Sequence, residues 1–194
     1  LEEDITLTDT IRSLVAIPGL PRLRLSSIWP TAITEEMMDM MVDPDNPLCR
    51  YLHLAVQHGH NEILDRMRRT YTTAMVEDLL NHLVVRMPDI GIGTDIMVGF
   101  PGETDEHFNA MHDWLEAMPF AYLHVFSYSK REKTRAASYP DQVHPDVINE
   151  RSRILRDLSK RKSRQFSDQF MGKSVTVLIE DRDAAGLLTG HTDP

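Results

Sequence analysis

Cysteine is nearly absent from this sequence of 194 residues, in which Cys49 is the only example. A single thiol excludes an internal disulfide bond. It also excludes an iron–sulfur cluster held wholly by this chain, because such clusters need roughly three or four cysteine ligands. Runs of about 18 apolar residues are absent too, so no membrane-spanning helix is predicted. We therefore expect a cytoplasmic protein that does not contact a membrane.

The first residue is Leu1 rather than methionine, and no basic segment followed by an apolar one indicates a secretory signal. A start at leucine predicts a fragment of a longer protein. Neither a Ser-His-Asp arrangement nor a glycine-rich phosphate-binding loop is found. The sequence therefore predicts neither a serine hydrolase nor a P-loop nucleotide-binding protein.

Acidic residues outnumber basic ones and give a net charge of −9, which does not favour bulk attraction to nucleic acid. The charge is uneven, because residues 150–173 carry eight lysines and arginines against three acidic residues. Such a segment is either a solvated helix face or a nucleic-acid contact, and both interpretations stay open. The basic residues that we consider for RNA contact are Arg69, Lys130, Arg131, Lys133, Arg161, Lys162 and Arg164.

Strands and helices alternate in the pattern of apolar residues. The predicted strands cover residues 22–28, 51–57, 90–100 and 120–129. Helical spacing separates them, and a basic amphipathic helix is predicted at about 145–170, followed by a fifth strand at 174–180. Strands that alternate with helices indicate parallel βαβ units, in a doubly wound sheet or in part of a barrel.

Both architectures place their chemistry at the C-terminal ends of the strands. One such end carries His53, His58 and His60, and Asp95 lies on the next strand, so a zinc-type site in a barrel hydrolase is one hypothesis. The alternative is that these histidines are structural. We favour the alternative, with no metal site, because we find no further acidic or histidine ligand at a neighbouring strand end.

The third predicted strand is rich in glycine, with Gly91, Gly93 and Gly99 on one face beside Asp95. The spacing is not that of a dinucleotide-binding fingerprint. A face with so little side chain predicts room for a flat ligand such as adenine against the backbone. A tight strand-to-helix turn is the other interpretation.

Four separated stretches resemble the radical S-adenosylmethionine (SAM) methylthiotransferases. They are RLRLSSIWP, YLHLAVQHGHNEILDRMRRTYT, TDIMVGFPGETDEHF and HVFSYSKREKTRAA with the following DQV. The resemblance extends from about residue 18 to 191 and is greatest for the tRNA-modifying branches. YSKR, DQV and TGHTD resemble the branch that acts on N6-threonylcarbamoyladenosine beside the anticodon.

This resemblance implies an α/β fold: the C-terminal part of a TIM-type partial (βα) barrel at 1–144, a linker helix at 145–171 and the start of a small RNA-binding TRAM β domain at 172–194. It implies a tRNA substrate, SAM, 4Fe–4S clusters and a flavodoxin-like or ferredoxin-like reductant. The residues that match the SAM-binding segments are Gln57, Asp95, Val98, Gly99, Phe100, Pro101, Gly102, Glu103 and Tyr128.

The sequence also departs from the family. The cluster-binding Cys-x-x-x-Cys-x-x-Cys motif and the three N-terminal cysteines are not found, so we expect the chain to be inactive and assign no catalytic residue. A cluster-free RNA-binding module is the alternative. His58 and His60 replace two serines, and Lys133 replaces a glycine. A barrel without its first strands exposes a strand edge, which predicts self-association or partial disorder there.

Overall fold

Four parallel strands form the main sheet of the computed structural model, which describes residues 5–194. The strands are β1 (Leu23–Ile28), β2 (Leu48–Gln57), β3 (Gly91–Val98) and β4 (Tyr122–Ser127), paired in that order. Each strand overlaps a predicted one, although β2 begins earlier and β3 and β4 are shorter. The predicted α/β class with a parallel sheet is confirmed.

Within residues 5–194, six α-helices connect or flank the strands. They are α1 (Leu7–Val15), α2 (Glu35–Val42), α3 (Asn61–Arg66), α4 (Thr73–Arg86), α5 (Asp105–Ala117) and α6 (Pro145–Asp168). Threonines begin four of them, because the hydroxyls of Thr6, Thr34, Thr72 and Thr104 accept backbone N–H groups of the first turn. The start of α2 at Thr34 was predicted from the sequence and is confirmed.

The two faces of the sheet differ in polarity, as the alternation along β2 predicts. Leu52, Leu54 and Val56 are fully buried in the apolar core that the helices complete. His53 lies on the opposite face, which we call the inner face. Functional side chains can therefore gather on the inner face while the outer face provides the stability.

A short antiparallel hairpin of β5 (Val177–Arg182) and β6 (Leu188–Thr192) follows α6. It packs at the N-terminal ends of the barrel strands, where Arg50 Nε donates to Asp193 Oδ2 at 2.7 Å. Arg24 donates to the carbonyls of Thr192 and Asp193. The predicted domain boundaries and the TRAM assignment of this hairpin stay predictions.

Within residues 5–194, no helix is long and apolar enough to cross a membrane. In the same part of the chain, β1 is an edge strand of the sheet and pairs with β2 on one side. Self-association through the other edge of β1 stays a prediction.

Candidate functional site

Five polar side chains in contact with one another lie in a row across the inner face. His53 Nε2 lies 2.9 Å from Asp95 Oδ1, and His124 Nδ1 lies 3.2 Å from the same oxygen. The other ring nitrogen of His53 lies 2.8 Å from the Tyr122 hydroxyl, which is also hydrogen-bonded to the Tyr51 hydroxyl. We call these five residues the inner-face cluster. Burial, and then the hydrogen bond with Tyr51, raise the pKa of Tyr122, so its phenol stays protonated.

Gly93 makes this arrangement possible. The register places it opposite Tyr122 on β4 and His53 on β2. A Cβ at position 93 would overlap the Tyr122 ring, and a Cβ at Gly99 would overlap the Ile148 side chain. The predicted open glycine face for adenine is therefore wrong, because the chain's own side chains fill it.

His58 and His60 do not join the inner-face cluster. His58 is fully buried, and its Nδ1 accepts the N–H of His60 at 3.0 Å, so its Nε2 donates to Glu103 at 3.1 Å. His60 caps α3 by accepting the N–H of Glu62. Burial, and then the nearby His107, lower the pKa of His60. Both histidines are structural, as we favoured, and His60 does the capping work that a serine could do.

The zinc hypothesis with His53, His58, His60 and Asp95 is therefore wrong as stated. The expectation that no other ligand lies near is also wrong, because His124 stands directly opposite Asp95 in the pairing of β3 and β4. The sequence shows His124 as one polar residue within an aromatic strand. Its partner becomes visible only when the register between the strands is known.

Glu103 holds the loop after β3. The side chain is fully buried, and Oε1 accepts from Arg151 of α6 at 2.6 Å while Oε2 accepts the N–H of Gly99 at 3.0 Å. Arg151 also pairs with Asp105 at 2.6 Å. These donors, together with His58, provide hydrogen bonds to both oxygens of the Glu103 carboxylate from within the protein. Its geometry suits positioning of the strand end rather than contact with a ligand.

Arginines surround a cavity of about 230 Å³ at the C-terminal ends of β2 and β3. We call it the arginine pocket; its lining includes Gln57, Arg66, Arg68, Arg69, Met97, Phe100, Arg135 and Tyr139. The Nε groups of Arg66 and Arg69 are buried without a hydrogen-bond partner in the part of the chain that the structure describes. Arg69 also packs over Trp29, and Arg66 over Tyr139. Unused guanidinium donors beside aromatic rings suit an anion.

Backbone strain accumulates near the same strand ends. Ser27, Gln57 and Lys133 adopt positive φ angles of 56°, 73° and 71°, a region that favours glycine. Strain of this kind costs about 1–3 kcal/mol per residue and concentrates at functional sites. The conformation of Lys133 is one that favours glycine, the residue that the resemblance implies at this position.

The expected SAM-binding residues fall into three groups. Gln57 and Phe100 line the arginine pocket, and Tyr128 packs edge-on against Phe100 with a hydroxyl that lacks a partner among residues 5–194. Asp95 belongs to the inner-face cluster. The remaining residues, Val98, Gly99, Pro101, Gly102 and Glu103, shape the end of β3 and its loop.

The basic residues expected to contact RNA differ in exposure. Arg69 lines the arginine pocket, whereas Lys130, Arg131, Lys133, Arg161 and Arg164 are exposed. Lys162 is buried instead, and its Nζ donates to the carbonyls of Glu116 and Met118 at 3.0 and 2.7 Å. Burial lowers its pKa. An RNA contact for Lys162 is contradicted, because its ammonium group caps the C-terminus of α5.

Replacement of Lys162 by methionine is expected to lower the free energy of unfolding by about 1–3 kcal/mol, because the part-buried carbonyls of Glu116 and Met118 lose their donor. Urea denaturation followed by circular dichroism measures this change. Lys160→Met is the matched control, since Lys160 is exposed on the same helix and, among residues 5–194, pairs only with Asp157; it should change little. Equal effects of the two substitutions would contradict the capping role.

A sequence model of the radical SAM superfamily matches residues 8–115, which contain β1 to β3 and the expected SAM-binding loop. The chain belongs to the radical SAM superfamily. Coproporphyrinogen III oxidase (HemN) from Escherichia coli, described as a radical SAM enzyme, shares the fold with a TM-score of 0.52. At 19% identity, the alignment covers 77% of this chain and 32% of HemN.

Curated relatives of this radical SAM chain are methylthiotransferases, which confirms the resemblance. The tRNA-2-methylthio-N(6)-dimethylallyladenosine synthase of Thermoanaerobacter sp. (strain X514) is 42% identical over 93% of this chain and 38% of its own length. Threonylcarbamoyladenosine tRNA methylthiotransferase MtaB of Bacillus subtilis (strain 168) is 35% identical over 91% of this chain and 40% of its own length. The chain therefore spans about two fifths of these relatives.

An iron–sulfur cluster does not fit the residues present. Cys49 is the only cysteine, and it lies at the start of β2, whereas Gln57 lies at the end. Cys49 lines a cavity of about 490 Å³ with Arg22 and Asp193. Burial raises the pKa of its thiol, which disfavours the thiolate that a cluster requires.

Proposed function

We propose that this chain forms the later part of the SAM-binding barrel of an enzyme that methylthiolates an adenosine of tRNA beside the anticodon. The arginine pocket carries this proposal. It places four guanidinium groups around Gln57 and Phe100 at the functional end of the barrel. The two relatives, by their names, act on tRNA adenosines. Phosphate oxygens are the anions that such a substrate offers in greatest number.

The adenosyl part of SAM fits the wall of this pocket. Met97 and Phe100 offer apolar surface for a flat ring, and the half-buried Gln57 offers an amide at its edge. The Tyr128 hydroxyl is buried and unpartnered among residues 5–194, so it is free to bond a ligand. When bound, SAM supplies the one-electron and methyl-transfer chemistry. The chain binds and orients it, and excludes water.

Finer features of the function follow from the same proposal. A substrate of the N6-threonylcarbamoyladenosine type is proposed from the YSKR, DQV and TGHTD stretches, and a cytoplasmic location from the tRNA substrate. The 4Fe–4S clusters and a flavodoxin-like or ferredoxin-like reductant belong to the intact enzyme. Because Cys49 is the only cysteine, we propose that the chain alone binds its ligands without turnover.

Neutralising the arginine pocket is expected to weaken RNA binding. In the variant Arg69→Gln with Arg135→Gln, affinity for a tRNA anticodon stem-loop should fall at least about tenfold at low salt, because two phosphate-facing cations are lost. The slope of log affinity against log salt should fall by up to about 2. Fluorescence anisotropy at several salt concentrations measures both quantities.

The matched control is Arg12→Gln with Arg153→Gln, which removes the same charge from surface ion pairs on α1 and α6. This control should retain most of the affinity and the salt slope. If the two double variants bind the stem-loop equally, RNA binding depends on total charge and the arginine pocket is not the RNA site.

A further inference from the structure

We propose that His53, Asp95 and His124 form a binding site for a divalent transition-metal ion such as Zn²⁺ or Co²⁺. One nitrogen from each histidine and one oxygen from the aspartate lie within 4.8 Å of one another. The three residues come from the neighbouring strands β2, β3 and β4. A sheet provides a rigid support for such a site. Two imidazoles and one carboxylate form a donor set that suits zinc, cobalt or ferrous iron.

Two of the three separations between ligand atoms are already close to those of a zinc site. Ligand atoms of a tetrahedral zinc site lie about 3.3 Å apart, given Zn–N and Zn–O bonds of about 2.0–2.1 Å. The two contacts of Asp95 Oδ1, with His53 at 2.9 Å and His124 at 3.2 Å, are close to that value. Binding would therefore replace the His53–Asp95 hydrogen bond and the His124–Asp95 contact by metal–ligand bonds.

Tyr122 can hold His53 in the form that a metal requires. An imidazole that binds a metal through Nε2 carries its proton on Nδ1, and that proton needs an acceptor. The Tyr122 hydroxyl lies 2.8 Å from His53 Nδ1 and also contacts the Tyr51 hydroxyl. A phenol can donate or accept, so it can receive the Nδ1 proton and donate its own to Tyr51. This arrangement matches the outer partners that usually orient metal-binding histidines.

Charge and access also favour a cation. The side chain of Asp95 is 13% exposed, and its ion-pair partners among residues 5–194 are the two histidines, with no lysine or arginine. A carboxylate largely removed from water gains from a positive partner. The His124 side chain is 60% exposed, which leaves an entry path and room for another ligand. Phe126 packs on the His124 ring at 4.3 Å and limits its rotation.

Titration of the chelator-treated chain with Co²⁺, followed by visible absorption and by competition with Zn²⁺, tests the proposal. We expect one ion per chain and a spectrum of low-coordinate Co²⁺ with nitrogen ligands. His124→Ala and Asp95→Asn should each weaken binding more than about tenfold, and Tyr122→Phe by about 10–100-fold, as loss of an orienting partner typically does. Thermal denaturation of each variant verifies that it is folded; His124 is exposed enough for its removal to be tolerated.

His82→Ala is the matched control, because His82 contacts the carboxylate of Glu35 on the surface without belonging to the three-residue group. It should bind the ion like the unchanged chain. If His124→Ala and Asp95→Asn both retain full affinity while folded, the proposal is overturned. Loss of binding in His107→Ala instead would place the ion at the His60–His107 pair and overturn it equally. The titration needs neither SAM nor RNA, so its failure would leave the proposed function intact.

Discussion

Arg151→Met is expected to lower the free energy of unfolding by about 3–5 kcal/mol, the typical cost of removing one partner from a buried ion pair. The Glu103 side chain is fully buried, and that of Arg151 is 6% exposed. Methionine retains much of the arginine's length and apolar stem, so the change removes mainly the charge and its hydrogen bonds. Among the described residues, the Glu103 carboxylate would then keep only His58 and the Gly99 N–H as donors. Urea denaturation monitored by circular dichroism measures the loss.

Arg153→Met provides the comparison on the same helix. Arg153 forms a similar ion pair with Glu150 at 2.6 Å, but these side chains are 62% and 56% exposed. Solvent screens exposed pairs, so this substitution should have little effect on stability. A loss that is equally small for Arg151→Met would mean that water reaches Glu103, and that the loop after β3 does not depend on α6.

The sequence predicts the fold well where local pattern decides the outcome. The alternation along β2 assigns Leu52 and Leu54 to the core and His53 to the opposite face, because side chains of a strand alternate strictly. Thr34 marks the start of α2, because hydroxyl caps act within one helical turn. Both inferences depend on residues a few positions apart, so neither needs knowledge of the tertiary structure.

Contacts between distant segments are not predictable in this way. His124 meets Asp95 only through the register of β3 and β4. Lys162 belongs to a basic helix by composition, yet the packing of α6 against the end of α5 buries this lysine. Strand β6 was not predicted, because five residues around Gly190 carry little hydrophobic alternation. The errors at His124 and Lys162 concern which surfaces meet, and local spacing carries no information about that.

The glycines of β3 are a second case in which contacts between distant segments could not be predicted from the sequence. Their low bulk was interpreted either as room for a ligand or as a tight strand-to-helix turn, but in a packed protein the space beside a glycine is usually filled by a neighbour. Tyr122 fills it at Gly93. The tyrosine hydroxyl thereby reaches His53 and Tyr51 across β3. The glycine is thus needed for the inner-face cluster rather than for direct contact with adenine.

Gly93→Ala is therefore expected to lower the free energy of unfolding by about 1–3 kcal/mol, the usual cost of overpacking a well-filled interior. The added methyl group and the Tyr122 ring cannot occupy the same space. The ring must move, and its hydroxyl would leave both His53 and Tyr51. Urea denaturation measures the loss. The same variant should weaken Co²⁺ binding, because His53 loses the group that orients it.

A double-mutant cycle with Tyr122→Ala separates this clash from any intrinsic effect of alanine in a strand. Without the ring, Gly93→Ala should cost almost nothing, because the three atoms nearest to the added methyl group all belong to Tyr122 and alanine lowers the conformational entropy of the unfolded chain. Tyr122→Phe isolates the hydroxyl: it should weaken metal binding and leave Gly93→Ala with only the cost of the ring clash, because the hydrogen bonds to His53 and Tyr51 are already lost. If Gly93→Ala destabilises the Tyr122→Ala protein as much as the unchanged one, the strain lies in the backbone of β3. The tyrosine would then not be what requires glycine at this position.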